Sequence, residues 1–154
     1  MAHSVEVDLL RIGAWHNGKT PSPSLFGFLL THLIAKRFPV RLDPPQKLEP
    51  IIETDGPRLL DMTLIALPGH SEGQIGFEMK HVDGSTAWIV GDVLMTLPNL
   101  RELILYKDRI VGLASIAKLA RLISPGDLVC PGHGPARQVD VGFIAKLKRL
   151  GSSK

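Results

Sequence analysis

The sequence predicts an α/β (α+β) fold in which helices cover a sheet of short strands. Three features predict it: strand-like runs at residues 59–67, 74–80 and 86–90, a hairpin signal between the last two, and helical patterns at residues 109–123 and 138–150. Residues 74–80 (QIGFEMK) alternate polar and apolar side chains, which is the period-2 pattern of a strand. Asp83-Gly84 marks a hairpin loop at residues 81–85. Two antiparallel strands and a third before them therefore form a sheet.

The first third of the chain predicts helices. Ser4 caps a helix over residues 5–11, with acidic side chains in its first turn. Ser22-Pro23 starts a second helix that ends before Pro39. Its apolar part, residues 25–35, is well short of the roughly 20 residues that a membrane span needs. We interpret this helix as part of the core, and a helix lying on a membrane surface is the alternative.

Later segments of the chain predict an extended connection and a further helix. Residues 39–57 are rich in proline and predict an extended connection, with one short strand at residues 48–53 and a turn at Asp55-Gly56. Asp108 caps the helix at residues 109–123. The polar positions of that helix, Ser115, Lys118 and Arg121, share one narrow stripe, so most of its surface must be covered.

Composition limits the classes of function. A chain of 154 residues with 44% hydrophobic and 21% charged residues is one globular domain. The net charge is +3, but the basic residues are scattered and aromatics are sparse at 5%, so we expect no nucleic-acid partner and no membrane partner. Cys130 is the single cysteine, which excludes an internal disulfide and fits a reducing cytoplasm. No secretory signal is visible, and we expect a cytoplasmic protein.

Three strand-like runs end in side chains that can bind a metal. His70 follows Pro68-Gly69, Asp92 follows the run at residues 88–91, and His133 lies between two glycines after the run at residues 128–130. Imidazole and carboxylate together suit zinc, and also iron or manganese. The three residues can meet only through the fold, so we expect them to lie close together at one edge of the sheet.

Three segments carrying these residues resemble, in order and spacing, the later motifs of the metallo-β-lactamase superfamily. They are residues 67–75 (LPGHSEGQI), 89–92 (IVGD) and 130–135 (CPGHGP). The likeness is clear from about residue 51 to residue 136 and looser over residues 1–50, which resemble the helices that follow that family's first metal motif. The resemblance implies an αββα sandwich and a hydrolytic site with one or two metal ions.

By position, the resemblance implies three metal ligands. His70 corresponds to the last ligand of the first metal, Asp92 to the carboxylate that bridges both metals, and His133 to a ligand of the second. The implied cofactor is zinc, with iron or manganese as alternatives. The implied reaction is hydrolysis of a small-molecule ester, thioester, lactone or lactam, or of a phosphodiester, by a metal-activated water.

The family's first motif, His-x-His-x-Asp-His, is absent from this sequence. The resemblance therefore implies that residues 1–154 form a single partial domain, the C-terminal part of the sandwich. A catalytic zinc normally has three protein ligands plus water, so we expect no tight metal binding by this chain alone. Whether the chain is itself an enzyme stays open. The alternative function is a non-catalytic interaction module that associates with itself or with a partner polypeptide supplying the missing half.

Simpler interpretations stand beside these predictions. Asp92 after Gly91 is able to cap the segment that follows it. Cys130 is either a soft ligand or nucleophile, or a small buried hydrophobe in an apolar strand, and we favour the second interpretation. Ser71 has no identifiable base and is not expected to be a nucleophile. One further set, Trp15, His16 and Lys19, is either part of a substrate rim or a solvated loop, and we favour the loop.

Overall fold

The computed structural model describes residues 2–11, 29, 33, 50–51, 55–59 and 61–153. Within these residues lie the helices α1 (Ser4–Arg11), α2 (Arg109–Leu122) and α3 (Val141–Gly151). The strands are β1 (Ala2–His3), β2 (Pro50–Ile51), β3 (Asp55–Leu59), β4 (Met62–Ala66), β5 (Ile75–Lys80), β6 (Thr86–Met95), β7 (Arg101–Glu102), β8 (Leu128–His133) and β9 (Arg137–Gln138). The predicted α/β class is confirmed.

The main sheet has the strand order β3-β4-β5-β6-β8-β9, with β7 added beside β6. Its neighbours are antiparallel except for β6 and β8, which are parallel because α2 connects them. The parallel pairing matters for function, since β6 carries Asp92, β8 ends in His133, and both strands run towards the same edge of the sheet. A separate two-stranded sheet joins β1 to β2.

The hairpin between β5 and β6 forms as the sequence predicts. The carboxylate of Asp83 accepts hydrogen bonds from the backbone N–H and the hydroxyl of Ser85, at 2.9 and 2.7 Å. These bonds to Ser85 lower the pKa of Asp83, because they favour its charged form. The backbone N–H of His81 donates to the carbonyl of Ser85 and closes the loop.

Three predicted boundaries are wrong. The run at residues 59–67 is interrupted at Asp61, which forms the turn between β3 and β4. Asp55-Gly56 is not a turn but the start of β3, where a register shift between Asp55 and Arg58 accommodates the glycine as an irregularity in the strand. β6 does not end at Asp92: it continues to Met95, because pairing with β7 and β8 extends it.

The N-terminal predictions are tested only in part. The helix predicted at residues 5–11 is confirmed by α1. Leu29 and Leu33 are helical, as predicted, while the rest of the helix at residues 23–38 lies outside the described residues. Trp15, His16 and Lys19 also lie outside them, so their interpretation stays a prediction.

One face of the sheet carries the core. α2 and α3 cover this face, and the core side chains are Ile65, Leu67, Trp88, Val90, Val93, Leu94, Leu100, Leu113, Ile116, Leu119, Ala120, Ile123, Val129, Val139 and Leu147. Asp127 ties the end of the core that lies away from Asp92: its carboxylate accepts from the N–H groups of Thr86 and Ser124 and from the indole N–H of Trp88. In the part of the chain that the structure describes, no helix is both long and apolar enough to cross a membrane.

Most of α2 is covered, as predicted, but its exposed side is not the predicted polar stripe, since Ser115 is among its buried residues. The hydroxyl of Ser115 donates to the carbonyl of Pro68 at 2.6 Å, and the Nζ of Lys118 donates to the carbonyl of Ala66 at 3.0 Å. Two members of the predicted polar stripe thus hold the end of β4 and the residues that follow it. The outer side of the helix instead exposes the apolar side chains of Ile110, Val111 and Leu122.

Candidate metal centre

The turn at His70 is held by backbone hydrogen bonds from the segment that precedes α2. The N–H of Lys107 donates to the carbonyl of His70 at 3.2 Å, and the N–H of Asp108 donates to the carbonyl of Gly69 at 2.9 Å. The N–H of Gly69 itself donates to the carbonyl of Ser71. These bonds fix the backbone on both sides of the histidine, so the imidazole projects from a rigid turn.

Gly69 is required at this turn for two reasons. Its φ of +139° lies in a region that L side chains rarely adopt. A Cβ atom at this position would also overlap the backbone of Gly112 in α2. The turn therefore packs directly on the helix, with no side chain between the two backbones.

The hydrogen bond of the His70 ring defines its tautomer. Nδ1 lies 2.9 Å from the carbonyl oxygen of Leu105. Since a carbonyl only accepts, Nδ1 carries a proton, and in the neutral ring Nε2 keeps its lone pair. Nε2 points towards Asp92, at 3.7 Å from Oδ2. This arrangement is the one that a metal-binding histidine commonly shows, with its second nitrogen donating to a carbonyl.

Asp92 lies inside β6, between His70 and His133. Its Oδ2 is 3.7 Å from His70 Nε2 and 3.6 Å from His133 Nε2. The side chains of His70, Asp92 and His133 are 38%, 29% and 61% exposed, so the group opens to solvent. The expectation that the three residues lie close together is confirmed, although Asp92 does not end its strand.

Thr96 and the glycine after His133 hold the third residue in place. The carbonyl of His133 accepts from the N–H of Thr96 at 3.1 Å, and the hydroxyl of Thr96 donates to the carbonyl of Pro135 at 2.6 Å. Gly134 has a φ of +102°, and a Cβ there would overlap Thr96 and Leu97. These contacts therefore hold the His133 loop against the end of β6.

The donor set fits part of a metal centre. Ligand atoms bound at about 2.0–2.1 Å to one tetrahedral zinc lie roughly 3.3 Å apart. The separations of 3.6 and 3.7 Å between Asp92 Oδ2 and the two imidazole nitrogens are close to that spacing. Among the described residues, however, no group of three or more His, Cys, Asp or Glu side chains has the arrangement needed to hold an ion. The ligand roles of the three residues stay a prediction.

Gln74 contributes a buried polar atom beside the same site. Its Nε2 donates to the carbonyl of Val90 at 3.1 Å, next to Gly91 and two residues before Asp92. Its Oε1 is the one buried side-chain oxygen or nitrogen of the described residues that lacks a hydrogen-bond partner. Such an acceptor normally has a donor, and none of the described residues supplies one.

A shallow pocket of about 330 Å³ lies behind the His70 turn rather than at the three candidate ligands. It is lined by Pro68, Gly69, Ser71, Glu72, Lys107, Asp108 and Val111. Across it, Lys107 Nζ and Glu72 Oε1 form an ion pair at 2.8 Å. Because the pocket is lined by neither His70, Asp92 nor His133, we do not assign it to the substrate of a metal centre.

The sequence offers little sign of several residues that shape this site. Leu105 acts through its carbonyl, which every residue possesses, and Gln74 and Thr96 belong to no ligand pattern. Tyr106 is the single tyrosine of the chain and belongs to no motif. Cys130 is half-buried within β8, paired with Ile89 of β6, and nothing in its surroundings adds to the alternatives stated for it.

Solved structures with the same fold are metallo-β-lactamase superfamily proteins. A B3 metallo-β-lactamase, BLEG-1, matches with a TM-score of 0.61 and 17% identity over 99% of this chain. TTHA1623, crystallised in a di-iron-bound form, matches with a TM-score of 0.55 and 24% identity over 95% of this chain. ST1585, an archaeal superfamily protein from Sulfolobus tokodaii, matches with a TM-score of 0.55 and 16% identity over 99%. The chain thus has a metallo-β-lactamase-like fold, as the sequence motifs predict.

The chain spans only part of these structures. It covers 64% of BLEG-1, 61% of TTHA1623 and 57% of ST1585. No protein-family model matches the sequence, and no curated protein matches it either. At these identities the comparisons establish the fold, and the activity is a matter for proposal.

Proposed function

We propose that this chain carries three of the ligands of a hydrolytic metal centre, in which His70 and His133 would each hold one metal and Asp92 would bind both. The observation that carries the proposal is the position of Asp92 Oδ2, 3.7 Å from one imidazole Nε2 and 3.6 Å from the other. A single carboxylate placed between two imidazoles, on a fold shared with metal-dependent hydrolases, is suited to two neighbouring ions.

The metal is zinc in this proposal, with iron or manganese as alternatives from the same ligand types. TTHA1623, one of the proteins with this fold, is di-iron-bound. When bound, a divalent metal would activate water as a nucleophile at neutral pH and polarise a carbonyl or phosphoryl group. The proposed substrate is a small molecule with an ester, thioester, lactone, lactam or phosphodiester bond.

The residues of this chain supply geometry to that reaction. The carbonyl of Leu105 accepts a hydrogen bond from Nδ1–H of His70, so that Nε2 is kept free to bind. Asp92 is held in register by β6, and Gly132 leaves room for its carboxylate beside β8. The complete centre needs more ligands than these three, and we propose that a partner polypeptide or another part of the domain supplies them.

The proposal is tested by completing the ligand set. A segment with the His-x-His-x-Asp-His motif is joined to the chain or added in trans, and metal content and hydrolysis of ester and thioester substrates are measured. The proposal expects metal and activity to appear together, and His70→Ala to remove most of both. His81→Ala is the matched control, since His81 is exposed in the hairpin loop. Equal activity in the two variants would contradict the proposal.

A second candidate function is a non-catalytic module that associates with a second copy of itself. The exposed apolar side of α2, formed by Ile110, Val111 and Leu122, favours it. In this case neither metal nor hydrolysis appears when the motif is supplied, and the chain is a dimer or larger at micromolar concentration. Light scattering together with the metal content of the completed protein separates the two functions.

A further inference from the structure

Tyr106 lies in the segment between β7 and α2 and is almost fully buried, at 2% exposure. Its hydroxyl accepts from the N–H of Leu103 at 3.0 Å and donates to the carbonyl of Val93 at 2.8 Å. Val93 is the residue directly after Asp92 in β6. One side chain therefore ties the segment before α2 to the strand that carries the candidate bridging carboxylate.

The same segment also holds His70. The carbonyl of Leu105, directly before Tyr106, accepts a hydrogen bond from Nδ1–H of His70. The N–H of Lys107, directly after Tyr106, donates to the carbonyl of His70. Tyr106 is thus the centre of a short segment whose two neighbours contact His70 and whose own side chain contacts the residue beside Asp92.

Packing leaves the Tyr106 ring little freedom. A Cβ on Gly112 would overlap this ring, and a Cβ on Gly69 would overlap Gly112. The ring, the first turns of α2 and the turn at His70 are therefore stacked in direct contact. A shift of the ring is transmitted to the turn, because close-packed groups move together.

We infer that Tyr106 is a positioning residue that aligns His70 with Asp92 and holds His70 in the tautomer whose Nε2 is free to bind a metal. The inference rests on the proposed function for its purpose, although the hydrogen bonds that carry it do not depend on a metal. Without the hydroxyl, the carbonyl of Val93 and the N–H of Leu103 lose a buried partner, and the segment can move. The Leu105 carbonyl then no longer selects the Nδ1–H form of His70.

The test is the tautomer of His70, read from its imidazole nitrogen resonances by NMR without metal. The wild-type protein is expected to show the Nδ1–H tautomer. Tyr106→Phe is expected to give a mixture of tautomers with faster exchange of the ring proton. Trp88→Phe is the matched control: it also removes a buried hydrogen bond from an aromatic side chain, but to Asp127, away from His70. It is expected to leave the His70 tautomer unchanged.

Two results would overturn the inference. One is a wild-type His70 in the Nε2–H form, a result that needs no variant and so does not depend on whether Tyr106→Phe folds. The other is a folded Tyr106→Phe protein whose His70 resonances match those of the wild type. If Trp88→Phe changed the tautomer as much as Tyr106→Phe, Tyr106 would be a general stability residue and the inference would also fail.

A zinc titration of the same samples separates this inference from the proposed function. Supporting groups of a metal ligand typically change metal affinity about 10- to 100-fold, so Tyr106→Phe is expected to weaken zinc binding by that factor and Trp88→Phe to leave it unchanged. If the wild-type His70 and His133 resonances do not respond to zinc at all, the proposed metal site fails. The tautomer comparison still decides the role of Tyr106.

Discussion

Gly132 lies directly against the carboxylate of Asp92, and a Cβ atom on Gly132 would overlap Asp92 Oδ1. The glycine in the CPGHGP segment thus has a physical reason: it lets β8 pass beside β6 without displacing the carboxylate. A side chain at this position would displace the Asp92 carboxylate from its place between His70 and His133.

Gly132→Ala is expected to move the Asp92 carboxylate and, because that carboxylate can rotate away, to destabilise the fold by only about 1 kcal/mol, the low end of overpacking. Gly142→Ala, in α3, is the matched control. The atom nearest to the added Cβ there is Asp140 Oδ1, at 3.3 Å. Urea unfolding monitored by tryptophan fluorescence gives both values. A side-chain carboxylate resonance of Asp92 that stays unchanged in Gly132→Ala would show that Gly132 does not crowd Asp92.

Gly69→Ala and Gly84→Ala separate backbone strain from packing. Both glycines have a positive φ, +139° and +86°, so both variants carry the strain of about 1–2 kcal/mol that an L side chain meets there. Only Gly69 also faces Gly112, whereas nothing lies within 4 Å of a Cβ on Gly84. Gly69→Ala is expected to lose more stability than Gly84→Ala and to shift the His70 resonances. A larger loss for Gly84→Ala would contradict the packing of the turn on α2.

Much of this structure is visible in the sequence, and the reasons for success and failure are physical. The β5–β6 hairpin and α2 depend on local signals, the Asp83-Gly84 turn and the Asp108 cap, whose side chain accepts from the N–H of Val111 as predicted. The end of β6 depends on partners distant in the chain, so its continuation past Asp92 to Met95 is not a local property.

The candidate metal centre also has a part that the sequence predicts and a part that it does not. The three candidate ligands stand out because their residue types and flanking glycines are distinctive. The contacts that support them, through Leu105, Tyr106 and Thr96, use backbone carbonyls or single side chains that no spacing rule marks. Likewise, the predicted polar stripe of α2 is not its exposed side, because Ser115 and Lys118 donate to the carbonyls of Pro68 and Ala66 instead of facing water.

The buried Tyr106 predicts a loss of stability at high pH. Burial raises the pKa of Tyr106 to about 12 from its ordinary value of 10.0. Because the folded state holds the phenolic proton more tightly than the unfolded state, its stabilising effect is complete below pH 10 and is lost as the pH rises through 12. With about 1.4 kcal/mol per pKa unit, the free energy of unfolding is expected to fall by roughly 3 kcal/mol across that range.

The measurement is direct because Tyr106 is the single tyrosine, so tyrosinate absorbance reports this residue alone. In Tyr106→Phe the same fall in stability between pH 10 and 12 is expected to be absent. A wild-type tyrosine that titrates at its ordinary pKa while the protein stays folded would contradict its burial.

The outer side of α2 predicts self-association. Ile110 is 81% exposed, and Val111 and Leu122 are also exposed on this outer side of the helix. Ile110→Glu is expected to shift the chain towards the monomer in light scattering, because a charge on this apolar side opposes burial. Val82→Glu is the matched control: Val82 is fully exposed in the hairpin loop and should not change the size distribution. A wild-type chain that is monomeric at every concentration would contradict this prediction.

The position of Asp92 between two imidazoles is tested most directly by a zinc titration followed at the imidazole resonances of His70 and His133. The shared carboxylate predicts that both histidines respond over the same range of zinc concentration, and that Asp92→Asn removes both responses together. With only three of the ligands present, the binding is expected to be weak enough for the zinc to be lost on dialysis, as elemental analysis would show. Asp83→Asn, a change to an exposed carboxylate in the hairpin loop, should leave both responses intact. Histidines that respond independently, or a response that survives Asp92→Asn, would contradict the account.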